Sequence, residues 1–345
     1  MKSPGTPSEQ ARVGEALNLT GLRTLVTGAT GFIGGHLAKG LADAGAKVIG
    51  LVRDTSRAAS LERAGAAAVE GEMTDHASLR RAMEGCDLVF HLAATVNLNK
   101  PWSYYREVNV AGTEALAEAA LAVGVERFVY VSSVSVYGMG AGPGLDETSP
   151  HLKSRDAYAD TKLEAEEIIR RMVAERGLPA VIAQPSQAYG PGDQNWTMTP
   201  IRLIRAGKLS LISRGTGLIQ PIYIDDLADG LLATARFGTV GSSYILCGNE
   251  VVTLRDYVAR LSAMLDKPQP STVPYRVAIS VAAVNELAAL ALGYEPTLNR
   301  RVVRSQVLKT TFSGDKASRE LGFDPCVDMD EGMDRIAAWL KEETQ

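Results

Sequence analysis

The stretch TLVTGATGFIGGHLAKGLADAG (residues 24–45) decides the fold class. An apolar run leads directly into three glycines spaced three apart, Gly28, Gly31 and Gly34, and a helical pattern follows them. A helix start presents unpaired N–H groups and the positive end of the helix dipole, so a diphosphate binds there if no Cβ atom keeps the backbone away. The three glycines would allow, in order, a tight turn, the approach of the phosphates and close packing of the helix on the strand. The stretch therefore predicts a dinucleotide site, and a purely structural turn is the alternative.

Outward from this stretch, short apolar runs alternate with helical patterns as far as residue 185. The predicted strands are 23–28, 47–53, 67–73, 87–94, 127–133 and 179–185, and the predicted helices among them are 33–44, 76–84, 103–123 and 158–176. Strict alternation implies parallel strands with helices on both faces, and strands that are almost continuously apolar indicate burial on both faces. We therefore predict an α/β protein with a doubly wound parallel sheet, a Rossmann fold.

The alternation of strands and helices ends after Pro185, where Pro- and Gly-rich segments precede further helical patterns at 253–266, 276–292 and 329–342. We predict three parts. They are a flexible leader over 1–20, a dinucleotide-binding Rossmann domain over 21–185 and a smaller mixed C-terminal substrate-binding lobe over 186–345, segments of which could cross back into the first domain.

Composition excludes several classes of protein. The net charge of −4 provides no basic field for nucleic acid. The three cysteines lie far apart and the four histidines form no paired ligand motif, so we expect neither a disulfide framework nor a metal site. The leader lacks the apolar core of a signal peptide, and the apolar run 277–292 is shorter than a membrane span and contains Asn285 and Glu286. We expect a cytoplasmic protein without an integral membrane segment, in which this run is a buried or half-buried helix; lipid contact is the alternative.

The end of the second strand, LVRDTSR, indicates which dinucleotide binds. An acidic side chain at this point would bind the adenosine ribose hydroxyls, whereas a guanidinium group favours a 2′-phosphate by charge and bidentate geometry. Arg53 is the first side chain past the apolar run, and Asp54 follows it. We predict NADP, with NAD possible through Asp54. The alternative interpretation of Arg53 is a solvated loop cation.

The segment AYADTKLEAEE (157–167) places Tyr158 and Lys162 four residues apart, on one face of a helix. An ammonium group beside a phenol lowers the pKa of the phenol, as does the positive nicotinamide ring of an oxidised cofactor. Tyrosine then becomes a usable general acid or base near neutral pH. The alternative is that these two residues are simply part of a helix surface. Their position after the fifth strand of a dinucleotide fold favours the catalytic interpretation.

The fifth strand ends in VYVSSVSVYG (129–138). Because ligands bind at the carboxyl ends of parallel strands, Ser132, Ser133 and Ser135 are expected to face the binding crevice. One of these hydroxyls could hold the substrate oxygen on which charge develops. Without the tyrosine and the lysine, they would be interpreted as serines that close a strand.

From about residue 22 the chain resembles the extended short-chain dehydrogenases/reductases, which include nucleotide-sugar epimerases and dehydratases. The segments that carry the resemblance are TGATGFIG, HLAA, NVAGT, SSVSVYG, YADTK, YGPGD and YIDDLADG. The resemblance implies that Tyr158 is the general acid/base, that Lys162 binds the nicotinamide ribose and that Ser133 supplies the catalytic hydroxyl. It also implies a homodimer formed through the helices 103–123 and 158–176.

The expected ligand contacts follow the glycine loop and the ends of the later strands. Asn109 would brace the central sheet, and the backbone of Pro185 and Ser186 would meet the carboxamide of the cofactor. The expected cofactor contacts are Gly28, Thr30, Gly31, Phe32, Ile33, Gly34, Arg53, Asp54, Glu72, Met73, Ala93, Ala94, Thr95, Asn109, Tyr158, Lys162, Pro185 and Ser186, and the expected substrate contacts are Val96, Ser135 and Tyr189.

The chain departs from many relatives at a few positions. Gln184 replaces an arginine, which weakens any expectation of a substrate phosphate contact there, and Glu72 replaces an aspartate while keeping a carboxylate near the adenine edge. Dehydratases of this superfamily usually have Thr-Asp-Glu where this chain has SVS (133–135), which disfavours dehydration. The tail 295–340 resembles that of 3β-hydroxysteroid and sterol-carboxylate dehydrogenases, and LVRD resembles the dihydroflavonol-reductase branch.

The sequence therefore predicts an NAD(P)-dependent oxidoreductase. It would interconvert a secondary alcohol and a ketone on a hydrophobic small molecule, steroid-like or polyketide-like. A nucleotide-sugar 4-epimerase is the alternative among enzymes. A dinucleotide-sensing protein without turnover is the alternative of another class, and such proteins typically lose the tyrosine or the lysine that this chain keeps.

Overall fold

The computed structural model describes residues 19–96, 100–138, 140–292 and 298–342. The strands are β1 (Arg23–Thr27), β2 (Lys47–Val52), β3 (Ala67–Glu70), β4 (Leu88–His91), β5 (Arg127–Val131), β6 (Ala180–Pro185), β7 (Gln187–Tyr189), β8 (Ser210–Ile212), β9 (Leu218–Ile219), β10 (Pro221–Tyr223), β11 (Ser243–Leu246), β12 (Val252–Thr253) and β13 (Ser271–Val273). Seven of them form one sheet in the order β11-β6-β5-β4-β1-β2-β3, with every neighbouring pair parallel. The doubly wound parallel sheet predicted from the sequence is confirmed.

Helices cover both faces of this sheet. They are α1 (Phe32–Asp43), α2 (Ala59–Arg63), α3 (His76–Met83), α4 (Trp102–Tyr105 and Gly112–Val123, joined by the π-helical turn Arg106–Ala111), α5 (Ala157–Arg176), α6 (Thr199–Arg205, preceded by the π-helical turn Gln194–Met198), α7 (Ile224–Phe237), α8 (Leu254–Met264), α9 (Tyr275–Leu292), α10 (Arg300–Ser305), α11 (Asp315–Leu321) and α12 (Met329–Glu342). Short 3₁₀ turns lie at Thr55–Arg57, Val134–Tyr137 and Ser213–Gly215.

Successive residues of the central strands pack into two different apolar layers, which is why these strands are apolar throughout. On β1, Val26 packs with α1 and α7 on one face, and Leu25 packs with α3, α4 and α5 on the other. On β5, Val129 and Phe128 divide in the same way. The carboxyl ends of the strands all point to one edge, where the sequence places its polar and glycine-rich segments.

The chain returns to the sheet after the predicted boundary at residue 185. Strand β11 pairs with β6 at the edge of the sheet, and α7 packs against α1. The remaining strands form three small pairs, β10-β7, β12-β9 and β13-β8. Of the predicted leader, residues 1–18 lie outside the described residues, whereas Leu19 is buried in the main apolar core.

Helix α9 is half-buried, as the sequence predicts. Ala278 and Ala282 are buried against α10, while the opposite face exposes apolar side chains. The exposed side chains are Val277, Val281, Val284, Leu287 and Leu292. Within the part of the chain that the structure describes, no helix combines the length and the apolar character that crossing a membrane requires.

Candidate active site

The glycine loop between β1 and α1 has the geometry that its sequence predicts. Gly28 has a φ of +70°, and a Cβ atom on it would lie 2.9 Å from the backbone nitrogen of Ala93. A Cβ on Gly34 would lie 2.2 Å from the carbonyl oxygen of Gly28, so the helix packs on the loop at a distance that only glycine allows. These two glycines are therefore required by the turn and by the helix contact.

The start of α1 is open to a ligand. Gly31 occupies the N-cap position, no side chain caps the helix, and its first turn contains no acidic residue. Thr30 and Gly31 are exposed, and Phe32 and Ile33 are half-buried. The uncapped N–H groups and the positive helix end are therefore available to a diphosphate, and this cradle fits the dinucleotide that the sequence predicts.

Arg53 and Asp54 both lie exposed at the end of β2. Asp54 Oδ1 accepts a hydrogen bond from the Ser56 N–H at 2.9 Å and caps the turn that follows. Arg53 makes no hydrogen bond or ion pair with any described residue. We name residues 53–57 the Arg53 loop. The guanidinium group of Arg53 is available to a ligand, whereas one carboxylate oxygen of Asp54 already accepts the Ser56 N–H.

Two of the expected cofactor contacts follow the end of β3. Glu72 is exposed, and its backbone N–H donates to the Ser78 hydroxyl. Met73 is buried against Gly112 of α4, where a Cβ atom would lie 3.0 Å from the Met73 Cβ. The Met73 side chain is thus part of the core under this end of the cleft.

A buried hydrogen-bonded chain fixes the backbone that leaves β4. The Ala93 N–H donates to Thr27 Oγ1 at 3.1 Å, and Thr27 Oγ1 lies 2.8 Å from His91 Nδ1. His91 Nε2 lies 2.8 Å from Thr113 Oγ1, which donates to the Asn109 carbonyl oxygen at 2.6 Å. Because the Thr113 proton is used in this way, Thr113 accepts from His91, which assigns the Nε2–H tautomer. Burial, assisted by the Lys162 charge, lowers the pKa of His91 well below its usual value, so the ring is neutral.

Asn109 connects this backbone to the helix of the predicted acid/base. Its Oδ1 accepts from the Thr95 N–H at 2.7 Å, and its Nδ2 donates to the Thr95 carbonyl at 3.2 Å and to Thr161 Oγ1 at 3.0 Å. Asn109 lies in the π-helical turn of α4, and such turns are frequent at functional sites. Its side chain therefore braces segment 93–95 against α5. Ala94, between the two hydrogen-bonded residues, is half-buried.

Ser133, Tyr158 and Lys162, which we name the catalytic cluster, come together at the end of β5. Tyr158 is half-buried, and Lys162 is 2% exposed. The Lys162 ammonium donates to the Val131 carbonyl oxygen at 2.6 Å and lies 4.6 Å from the centre of the Tyr130 ring. The sequence predicted the spacing of the pair, and the fold adds the burial of the ammonium group.

The protonation of this cluster differs from the sequence expectation. Burial raises the pKa of Tyr158 to about 12; hydrogen bonding with Ser133 opposes the rise, and the Asp156 charge adds to it. Burial lowers the pKa of Lys162 to about 7, opposed by Glu166. The expected lowering of the phenol pKa is therefore not found in the protein alone, because removal from water outweighs the hydrogen bonding with Ser133.

Two carboxylates fix the first turn of α5 around Tyr158. Asp156 is the N-cap, and its Oδ1 accepts from the Ala159 N–H at 2.7 Å. Asp160 accepts from the backbone N–H groups of Ser154 at 2.8 Å and Arg155 at 3.2 Å, and thus holds the preceding loop. The position of the phenol is set from both sides.

The three serines of the β5 end have different surroundings. Ser133 Oγ accepts from the Ser135 N–H at 3.1 Å and caps the 3₁₀ turn that follows. The hydroxyl oxygens of Ser132 and Ser135 are buried without a hydrogen-bond partner among the described residues. Buried hydroxyls without a hydrogen-bond partner are uncommon in folded proteins. The hydroxyls of Ser132 and Ser135, which lie on either side of Ser133 in the chain, could therefore bind a ligand.

Gln184 does not point to a ligand. Its side chain is fully buried, accepts from the Tyr137 hydroxyl at 2.7 Å and donates to the two oxygens of Glu166 at 3.0 and 3.2 Å. Arg170 donates to the same carboxylate at 3.3 Å. The residue that replaces the arginine of many relatives is thus part of a buried network behind Lys162.

The structure does not bring every predicted contact to this cluster. The Tyr189 side chain is 1% exposed and packs edge-on against Tyr223 and Tyr257, in the core. Ser186 uses both its polar hydrogens within the protein, the N–H with the Leu246 carbonyl and the hydroxyl with the Gln220 carbonyl; Pro185 is buried. Val96 is 55% exposed on the loop after β4.

Comparison with known proteins now identifies the family. A model described as the NAD dependent epimerase/dehydratase family matches residues 24–247, which is more than half of the chain. The chain belongs to this family. The extended short-chain dehydrogenase/reductase resemblance seen in the sequence is confirmed.

Individual relatives agree with this assignment. The chain is 35% identical over 312 residues to a protein named "Putative dihydroflavonol 4-reductase" from Synechocystis sp., covering 86% of this chain and 88% of the relative. It is 32% identical over 339 residues to the 3 beta-hydroxysteroid dehydrogenase/Delta 5→4-isomerase of Mycobacterium tuberculosis, covering 91% and 89%. The crystal structure of the dTDP-glucose 4,6-dehydratase DesIV from Streptomyces venezuelae, with NAD bound, superimposes with a TM-score of 0.78 at 25% identity, covering 93% of this chain and 97% of that one. The protein is an oxidoreductase of the extended short-chain type.

Proposed function

We propose that the protein interconverts a secondary alcohol and a ketone on a hydrophobic small molecule, with NADP as the cofactor. The observation that carries the proposal is the catalytic cluster: a phenol hydrogen-bonded with Ser133, with a buried ammonium group one helical turn away. The segment 133–135 carries no acidic side chain, which supports redox chemistry over dehydration.

Each member of the cluster has a distinct task in this proposal. Ser133 holds the oxygen of the substrate, and Tyr158 exchanges a proton with the same oxygen. Lys162 binds the nicotinamide ribose. When bound, the cofactor supplies the hydride in reduction and, in its oxidised form, a positive charge that favours the phenolate. With a pKa of about 12, the Tyr158 hydroxyl carries its proton at neutral pH and is ready to act as the acid in ketone reduction.

The preference for NADP is supported by the Arg53 loop. The Arg53 guanidinium group, which has no partner among the described residues, stands at the end of β2, where a 2′-phosphate would lie, while the neighbouring carboxylate caps a turn. Two observations support a hydrophobic substrate. Gln184 stands where an arginine could bind a substrate phosphate, and its side chain is bonded to Tyr137 instead. The relatives include proteins named as a reductase and a hydroxysteroid dehydrogenase.

The test is a substrate screen with the purified protein, monitored by nicotinamide absorbance. Ketones of steroid and polyketide type, simple ketones and sugar nucleotides are each supplied with NADPH and, separately, with NADH. Turnover of apolar ketones with NADPH in solution would support the proposal. Retained cofactor with interconversion of sugar nucleotides would instead indicate a 4-epimerase, and cofactor binding without any turnover would indicate a sensing protein.

A further inference from the structure

An ion pair joins the C-terminal part of the chain to the helix that carries Tyr158. Arg301, on α10, places a guanidinium nitrogen 2.6 Å from Asp156 Oδ2. The Asp156 side chain is 5% exposed, whereas that of Arg301 is 42% exposed. A buried carboxylate without a counter-charge is costly, so this contact has energetic weight that surface ion pairs lack.

The two oxygens of Asp156 have separate roles. Oδ1 caps α5 through the Ala159 N–H. Asp156 lies two residues before Tyr158, so a displaced cap would also move Tyr158. Oδ2 has no aligned hydrogen-bond donor among the described residues, and Arg301 is the cation within ion-pair distance of it there. The charge of this carboxylate is therefore balanced from another part of the fold.

The charge of Asp156 acts on nearby phenols. It raises the pKa of Tyr158, and it raises the pKa of Tyr105 on α4, where Arg301 acts in the opposite direction. The helix of Tyr158 also carries Asp160 and Lys162 within its first two turns, and the charge of Tyr158 raises the pKa of Tyr130 on β5. Arg301 lies on neither of these elements, because it belongs to α10.

We propose that Arg301 is a positioning residue for the acid/base: by neutralising Asp156 it keeps the Tyr158 phenolate accessible for alcohol oxidation. This inference rests on the proposed function of Tyr158. Without the guanidinium group, the uncompensated carboxylate disfavours the phenolate, and α5 keeps its cap because Oδ1 is unchanged. Arg301 touches Asp156, and it acts on the reaction only through that carboxylate.

The chain offers a matched control in the preceding residue. Arg300 is on the same helix and also forms an ion pair, at 2.7 Å, but its partner is Glu286 of α9. Arg300→Met and Arg301→Met remove the same group from α10. Asp156→Asn removes the charge at α5 and keeps a side chain that caps helices well.

The experiment is the pH dependence of alcohol oxidation in the wild type, the three single variants and the double variant Arg301→Met with Asp156→Asn. In Arg301→Met we expect the half-maximal pH to move up by about one unit, so that oxidation below that pH falls about tenfold. Arg300→Met should keep the wild-type profile, and the double variant should recover it. Equal profiles for Arg300→Met and Arg301→Met, or a double variant no better than Arg301→Met, would overturn the proposal, because docking of α10 alone would then explain the loss.

A second measurement separates this inference from the proposed function. The titration of Tyr158 is read from the ultraviolet absorbance of tyrosinate, as the difference between each variant and the same variant carrying Tyr158→Phe. A wild type that turns over no ketone but shows the alkaline shift in Arg301→Met would reject the proposed function and keep the role of Arg301. An unshifted titration would reject the role of Arg301, whatever the substrate screen gives.

Discussion

The Arg53 loop and the catalytic cluster differ in how firmly the protein holds them. Arg53 and Asp54 are exposed, and Asp54 caps a local turn through the Ser56 N–H. Lys162 is buried, and Tyr158 lies between two carboxylates that bind the backbone on either side. A group held by many buried contacts cannot be replaced without large losses, whereas an exposed group can change partner at little cost to the fold. In the proposed function, the chemistry therefore depends on buried groups and the preference for NADP depends on a surface loop.

The largest effect should come from Tyr158→Phe, which removes one oxygen from the cluster. Turnover should fall by a factor of about 10² to 10⁴, because general acid–base catalysis is lost. Cofactor affinity and the unfolding transition should stay near wild type. The measurement is single-turnover hydride transfer, with Tyr104→Phe on α4 as the control. A near-normal rate would show that the proton moves through another group.

The buried ammonium group should make stability depend on pH. Lys162 has a pKa of about 7 in the folded protein, lowered by burial from an ordinary value of 10.5. Between these values the unfolded chain binds a proton that the folded protein lacks, so the free energy of unfolding should rise with pH, by at most about 1.4 kcal/mol per unit.

Lys162→Met removes this titration and should flatten the rise. Denaturant unfolding at pH of about 7 and about 9 measures the difference between the two proteins. The variant should also bind cofactor more weakly and turn over more slowly, because it loses a ribose ligand. Parallel pH dependence in the two proteins would mean that Lys162 keeps its proton throughout this range.

On the exposed side of the comparison, Arg53→Ala should weaken NADP binding and leave NAD binding almost unchanged. A charge-assisted hydrogen bond accounts for about 1.5–3 kcal/mol, or roughly ten- to 150-fold in affinity. Binding titrations with both cofactors measure the effect, and Arg63→Ala on α2 is the control. If both cofactors lost affinity equally, Asp54 would become the ribose ligand.

The smallest effect should come from Asn109→Ala, which breaks the brace between segment 93–95 and α5. The loss should be about 1–3 kcal/mol of stability, because the Thr95 N–H and carbonyl lose their partner in a half-buried setting. Denaturant unfolding measures it, with the exposed Asn195→Ala as a variant expected within about 0.5 kcal/mol of wild type. A loss no larger than that of the control would remove Asn109 from the framework that holds the site.

The features that the sequence predicts correctly are local ones. The glycine spacing, the strand–helix alternation and the placement of Tyr158 one turn before Lys162 all follow from periodicities that a short window displays. The hydrogen-bonded chain through Thr27, His91 and Thr113 could not be predicted, because its members are brought together only by strand pairing and helix packing. The HLAA segment (91–94) indicates that His91 lies near the site, but it does not indicate which residues the histidine contacts.

Three features were decided by the tertiary structure alone. Tyr189 was expected at the substrate and is a core residue, and Gln184 turns to Glu166, since a strand residue faces whichever layer its register selects. Burial, which no local pattern reports, sets the pKa values of Tyr158 and Lys162. The sequence by itself determined the sheet, the glycine cradle and the pair on α5, because each depends on neighbours along the chain. The fold decided which groups lose water and which distant charges meet, as Arg301 and Asp156 do, because both depend on how separate elements pack.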